Sequence, residues 1–159
     1  MKIGNHTIGP GSPVYVVAEM SGNHGGKYEN AVAIVRAAAE AGADAIKLQT
    51  FTPDTMTLDC DSEHFKIKSG PWAGRKLYDL YKETQTPWAW HADLILFANS
   101  LGLDCFSTPF DATAVDFLET LNVPAYKISS FELTDTRLLK KIAATGKPVI
   151  LSTGMATAK

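Results

Sequence analysis

Two lysines of this 159-residue chain sit inside short apolar runs: Lys47 in AIKLQT (residues 45–50) and Lys127 in AYKISSFE (residues 125–132). An ammonium taken out of water alone is costly, so each lysine needs a carboxylate partner, an anionic ligand or a lowered pKa. Polar groups follow both: Gln49 after the first, Ser129 and Ser130 after the second. Thr108 in FSTPF and Ser152 in VILSTG hold matching places after two further apolar runs. Two cations with the hydroxyls of Thr108, Ser130 and Ser152 form a receptor for a small phosphate or carboxylate, because charge-assisted hydrogen bonds are the strong ones. The carboxylates Glu19 and Glu132 suit sugar hydroxyls or proton transfer, or alternatively a plain ion pair with a lysine. A desolvated lysine is also the nucleophile of Schiff-base chemistry, and that alternative stays open.

These residues require elements that bring them to one place. Short β-rich runs alternate with stretches of helical period, the pattern of parallel βα units in an α/β fold. The first strand is VYVVA (14–18), ending at Glu19, and a helix follows in which Ala31, Val35 and Ala38 share a face until Gly42 stops it. AIKLQ begins the second strand and GLDCFSTPF supplies the third. DATAVDFLETLN then forms a helix capped by Asp111 and closed by Asn122. VPAYKISS is the fourth strand, DTRLLKKIAATG a helix stopped by Gly146, and KPVILSTG the fifth strand. Every strand ends in polar groups: Glu19; Lys47 and Gln49; Ser107 and Thr108; Lys127, Ser129, Ser130 and Glu132; Ser152 and Thr153.

In a (β/α)8 barrel all C-terminal strand ends meet at one mouth, whereas a doubly wound sheet binds mainly at a switch point. Contribution from every strand favours the barrel, of which the chain holds about five parallel βα units. Neither GxGxxG after the first strand nor GxxxxGK[ST] occurs, which weakens a nucleotide-binding reading. Strand alternation turns Lys47, Gln49 and Lys127 to the interior and Ile46 and Leu48 toward the helices. A long excursion separates strands two and three. Its second half is helical, with Leu94, Phe97, Ala98 and Leu101 on one face, while Thr52 to Gly74 has no period, and so long a loop is usually functional.

Composition narrows the functional classes. A formal net charge of -2 offers no basic surface for nucleic acid or anionic membrane. Two cysteines, Cys60 and Cys105, without CxxC spacing fit a reducing compartment. With neither a signal-like apolar run nor a stretch of 18 apolar residues, a soluble cytoplasmic protein is expected. No two histidines have ligand spacing, so His24 and the LDCDSEH cluster (58–64) are assigned surface or turn roles and no metal ligand is placed in this chain. Trp72, Trp88 and Trp90 are expected to pack, and Arg75, Lys76, Lys140 and Lys141 to be solvated helix charge.

With AEMSGNH, KLQTFTPDTMT, FSTPFD, PAYKISSFE and GKPVILSTGM in order, the chain resembles the nonulosonic (sialic) acid synthases from about Val14 to its end. Through LYDLYKETQTPWAWH and AVDFLETLNVPAYKISSFEL it is similar to the pseudaminic branch, departing at Ala89, where that branch leads us to expect Glu. The resemblance implies condensation of phosphoenolpyruvate, water and an open-chain acetamido sugar, with release of phosphate. In the pseudaminic branch the sugar is 2,4-diacetamido-2,4,6-trideoxy-altropyranose; N-acetylneuraminate or legionaminate synthases use other amino sugars. Matched motif positions assign the phosphoenolpyruvate site to Lys47, Thr108, Lys127, Ser130 and Ser152. They give Glu132 the acceptor sugar, and Glu19 and Gln49 further active-site places.

A divalent metal, Mn or Mg, is implied as Lewis acid, with histidine ligands beyond Lys159. A homodimer and a C-terminal antifreeze-like domain are implied with it. Residues 1–159 are therefore expected to be a partial TIM-barrel domain of a longer enzyme, binding weakly and turning over poorly alone. An inactive half-barrel acting as a binding module is the competing expectation from outside enzymology.

Overall fold

Five short strands pair in parallel, in chain order, in the computed structural model of the protein, which describes residues 1–154, 156 and 157. They are β3 (Val17–Glu19), β4 (Ala45–Thr50), β5 (Asp104–Pro109), β6 (Tyr126–Ile128) and β7 (Val149–Leu151). A doubly wound sheet reverses its strand order at a switch point. Here β3-β4-β5-β6-β7 runs without reversal, the order of a barrel wall, and the sheet is a curled arc of half a barrel with helices on its outer face. No helix among the described residues is long and apolar enough to cross a membrane.

Sequence chemistry explains the outer helices. In α1 (Tyr28–Glu40) the buried residues are Ala31, Val35 and Ala38, and Gly42 takes the left-handed turn at φ 80° that ends the helix. The Asp111 carboxylate caps α5 (Ala112–Thr120) by accepting from the Thr113 and Ala114 amides at 2.7 and 3.2 Å. Asp135 does the same for α6 (Thr136–Ala144), accepting from Arg137 and Leu138 at 3.0 Å each. Each such cap stabilises its helix by about 1 kcal/mol.

Alternation along the strands divides the core into two layers. Ile46, Leu48, Cys105, Tyr126 and Ile128 face outward and bury against Val35, Leu94, Leu118 and Ile142 of the helices. Ala45, Phe106 and Ala125 face inward and form a second cluster with Ile3. Ile3 belongs to an antiparallel hairpin of β1 (Lys2–Ile3) and β2 (His6–Thr7) that the sequence reading did not anticipate. Asp104, at the start of β5, holds that hairpin by accepting from the Tyr15 hydroxyl and pairing with His6 Nδ1, both at 2.8 Å. Apolar residues thus close the N-terminal end of the interior, which leaves the polar positions at the other end.

Several expectations are corrected. The first strand begins at Val17, where the register with β4 starts, and Val14 and Val16 ahead of it are exposed. The fourth strand ends at Ile128, since Ser130 is already helical and opens a 3-10 turn over Phe131–Thr134. In α4 (Trp88–Ser100) the buried face is His91, Leu94, Ile95 and Ala98, and Leu101 lies beyond the helix, partly exposed. Trp72 does not pack and is 51% exposed. Arg75 and Lys76 precede α3 (Leu77–Thr84), where Arg75 pairs with Glu83 and Lys76 with Asp59 and Asp61. His24 is in a turn but wholly buried: its Nδ1 accepts from the Gly26 amide at 3.0 Å, its Nε2 meets the Thr86 hydroxyl at 3.3 Å, and Trp90 packs edge-on. Met155, in the last sequence motif, lies outside the described residues.

A buried polar chain braces the outer side of β4 and β5. His91 Nδ1 lies 3.2 Å from the Pro87 carbonyl, which can only accept, so this nitrogen carries the proton. Nε2 therefore accepts from the Thr50 hydroxyl at 2.9 Å, and the Ser107 hydroxyl donates to Thr50 at 2.6 Å. Burial holds the imidazole pKa down to about 4. Between pH 6.5 and about 4 the unfolded chain binds a proton that the folded imidazole refuses, so stability falls as pH falls through that window. The expected slope from this group is up to about 1.4 kcal/mol per pH unit. Urea unfolding at pH 7 and pH 5 measures it, and His91→Gln flattens the dependence; an unchanged slope in the variant contradicts the assignment.

Candidate active site

The inward side chains at the C-terminal strand ends line one open cleft of about 300 Å³. Glu19, Lys47, Gln49, Thr108, Lys127, Ser130 and Ser152 all border it, joined by Phe110, Ser129 and Phe131. Strand register accounts for the convergence: Glu19 lies opposite Lys47 across β3 and β4, and Gln49 opposite Thr108 across β4 and β5. Lys127 stands on β6, and Ser152 directly follows β7, whose residue Ile150 pairs with Lys127.

The charges in the cleft are unbalanced. Lys47 is only 6% exposed, and its Nζ lies 3.4 Å from Glu19 Oε1 on a half-exposed side chain. Lys127 donates to neutral oxygens, the Ser152 hydroxyl at 2.6 Å and the Ile128 carbonyl at 2.7 Å. Among the described residues no carboxylate forms an ion pair with it. Burial lowers its pKa, and the nearby Lys47 ammonium lowers it further, against weaker opposing fields from Glu19 and Glu132. Thr108 Oγ1 and Ser129 Oγ are buried without a hydrogen-bond partner. Each such orphan costs about 1–3 kcal/mol, which a bound acceptor would offset. Two ammonium groups against one carboxylate, with unpartnered hydroxyls beside them, are chemistry that suits an anionic ligand.

Glu132 borders not this cleft but a neighbouring, second cavity of about 450 Å³ that shares Gln49, Phe110 and Phe131 with the first. Burial raises its carboxyl pKa, and its Oε2 has no partner. Sequence reasoning named Ser129 as a strand-end residue without assigning it to the site, and it missed Phe110 and the second cavity's Met56 and Tyr81. It also missed Gly154, where an added Cβ would sit 2.7 Å from Ser130 Oγ, so the glycine makes room for that hydroxyl. The serine-threonine-glycine run after β7 carried that signal. Among the described residues no group of three or more His, Cys, Asp or Glu side chains is gathered closely enough to hold a metal ion.

The sequence profile of the NeuB family matches residues 34–159, which include every assigned site residue except Glu19. The chain belongs to the NeuB family. Among NeuB relatives, pseudaminic acid synthase of Campylobacter jejuni (serotype O:2) is 47% identical over 157 residues, covering 99% of this chain and 45% of that protein. The N,N'-diacetyllegionaminic acid synthase of Legionella pneumophila is 37% identical over 142 residues, covering 89% of this chain and 40% of the relative. The chain thus spans about half the length of the curated relatives it matches. In three dimensions it is similar to the crystal structure of N-acetylneuraminic acid (sialic acid) synthetase from Leptospira borgpetersenii, solved with citrate. The TM-score is 0.85 at 28% identity, covering 99% of this chain and 50% of that one. The half-barrel arc therefore corresponds to half of a NeuB-family chain, and the cleft lies at its strand-end mouth.

Proposed function

We propose that this chain forms the phosphoenolpyruvate-binding part of a pseudaminic acid synthase. The observation that carries the reading is Lys127, a half-buried ammonium without a carboxylate partner among the described residues, beside Lys47 and two orphaned hydroxyls. Phosphoenolpyruvate carries a phosphate and a carboxylate, and two cations with convergent hydroxyls match both groups. Lys47, Lys127, Thr108, Ser130 and Ser152 hold these anions, and Glu19 positions the Lys47 ammonium. Gln49, which borders both cavities, lies between the two substrates, and Glu132 holds the acceptor through its hydroxyls.

In the reaction, the C2–C3 π pair of phosphoenolpyruvate forms the bond from C3 to the aldehyde carbon of the open-chain sugar, and the aldehyde C=O π pair moves onto its oxygen, which takes up a proton. Water adds to the cationic C2 and releases one proton, which balances that uptake, and the remaining C2 hydroxyl gives its proton to the departing phosphate as the C2–O bond breaks and leaves the ketone. The lysines keep the dianion in place and stabilise the leaving phosphate. A divalent metal would supply Lewis-acid polarisation of the aldehyde. The higher identity to pseudaminic than to legionaminic relatives supports the 2,4-diacetamido-2,4,6-trideoxy-altrose acceptor. We place the reaction in the cytoplasm, where the free thiols of Cys60 and Cys105 stay reduced.

The lowered pKa of Lys127 also favours a second reading, a Schiff-base aldolase. Incubating the protein, as its native cell makes it, with phosphoenolpyruvate and the diacetamido sugar separates the readings. Phosphate released only when both substrates are present supports the synthase. A borohydride-trapped keto-acid adduct on Lys127 or Lys47, without phosphate release, replaces it with the aldolase, and neither outcome leaves the binding module.

A further inference from the structure

The second cavity is amphipathic in a way that specifies its occupant. Phe51, Met56, Tyr81 and Phe110 form an apolar wall, with Phe51 edge-on to Tyr81 at 5.8 Å and to Phe110 at 5.5 Å between ring centroids. Opposing polarity comes from Gln49, Thr84 and Glu132, and the unpartnered, buried Glu132 Oε2 requires a hydrogen-bonding group that an apolar occupant cannot supply. A fully hydroxylated sugar would instead strand hydroxyls against the aromatic wall. The occupant that satisfies both sides bears hydroxyls on one edge and methyl groups on the other.

We infer that Met56 and Tyr81 select the acceptor by packing against the methyl group that ends a 6-deoxy sugar. This rests on the synthase reading above and adds the residues that set its sugar preference. Phe51 and Phe110 directly follow β4 and β5 and belong to the barrel mouth. Met56 and Tyr81 come from the excursion between those strands, on α2 (Pro53–Met56) and α3. That excursion is anchored: the Tyr78 hydroxyl donates to Asp54 at 3.0 Å, tying α3 to α2, and Lys76 pairs with Asp59. The wall is therefore built before the sugar arrives, and the excursion, aperiodic in sequence, acts as the selectivity element.

The test is calorimetric titration of the full-length protein, saturated with inorganic phosphate, using 2,4-diacetamido-2,4,6-trideoxy-altrose and its 6-hydroxy counterpart. The expected result is a preference for the deoxy sugar that shrinks at least about fourfold in Met56→Asn and in Tyr81→Gln, the change that corresponds to burial of one methyl-sized group. Met56→Leu keeps the preference, and phosphoenolpyruvate affinity stays within about twofold in all three, which shows that each variant is folded. A preference unchanged in both polar variants overturns the selectivity role while leaving the synthase reading intact. A wild-type protein that binds phosphoenolpyruvate but neither sugar overturns the acceptor reading, and this inference with it.

Discussion

Replacing Lys127 with alanine weakens phosphoenolpyruvate binding by about 100-fold or more and leaves the fold intact. Hydrogen bonds to charged groups contribute about 1.5–3 kcal/mol each, and removing the ammonium deletes at least one such bond together with its unscreened attraction for a dianion in a half-buried cleft. About 2.7 kcal/mol corresponds to the 100-fold loss. The fold survives for two reasons. Burial and the Lys47 charge oppose the ammonium, so the folded chain gains little from holding it. The Ile128 carbonyl also keeps a second donor, the Ser152 amide at 3.0 Å. Calorimetry with phosphoenolpyruvate and a urea midpoint on the same sample check both halves. Unchanged affinity refutes the site, and a collapsed midpoint shows the lysine to be structural.

Glu132→Gln has the opposite signature: turnover with the acetamido sugar falls by about 10²–10³-fold, as expected for loss of a positioned proton-transfer or sugar-binding carboxyl. Phosphoenolpyruvate affinity stays within about threefold, because Glu132 borders the second cavity and not the cleft lined by Lys47 and Lys127. Burial raises the Glu132 pKa, so its ionisation lies above the ordinary 4.5 of a glutamic acid. The corresponding limb of the pH profile of kcat/KM for the sugar disappears in the glutamine variant. Equal losses in phosphoenolpyruvate and sugar binding would place Glu132 in the cleft of the two lysines instead.

The barrel arc and the gathering of Lys47, Thr108, Lys127 and Ser152 in one cleft were largely legible in the sequence, for a physical reason. A strand buried on both faces has no cause to carry Lys47 or Lys127 unless its interior face opens on a ligand, and period-two alternation then locates that face. Caps were equally readable at Asp111, because a carboxylate ahead of an apolar helical stripe has one economical use. The N-terminal hairpin was not legible: Lys2–Ile3 and His6–Thr7 are too short for periodicity, and only the fit of Ile3 under Phe106 and Ala125 gives them a place. His24 likewise read as a turn residue because its burial depends on a segment some 60 residues later, with Thr86 just ahead of α4 and Trp90 within it. The second cavity escaped for the same reason. Met56 and Tyr81 meet Phe51 only through the tertiary path of the excursion, and no local pattern marks them as partners.

A crystal structure of the full-length protein with phosphoenolpyruvate bound tests the central claim most directly. The expected result is phosphate and carboxylate oxygens within hydrogen-bond distance of Lys47 and Lys127 Nζ, with the Thr108 hydroxyl donating to the ligand. Phosphoenolpyruvate bound elsewhere, with both lysines paired to protein carboxylates, would contradict it.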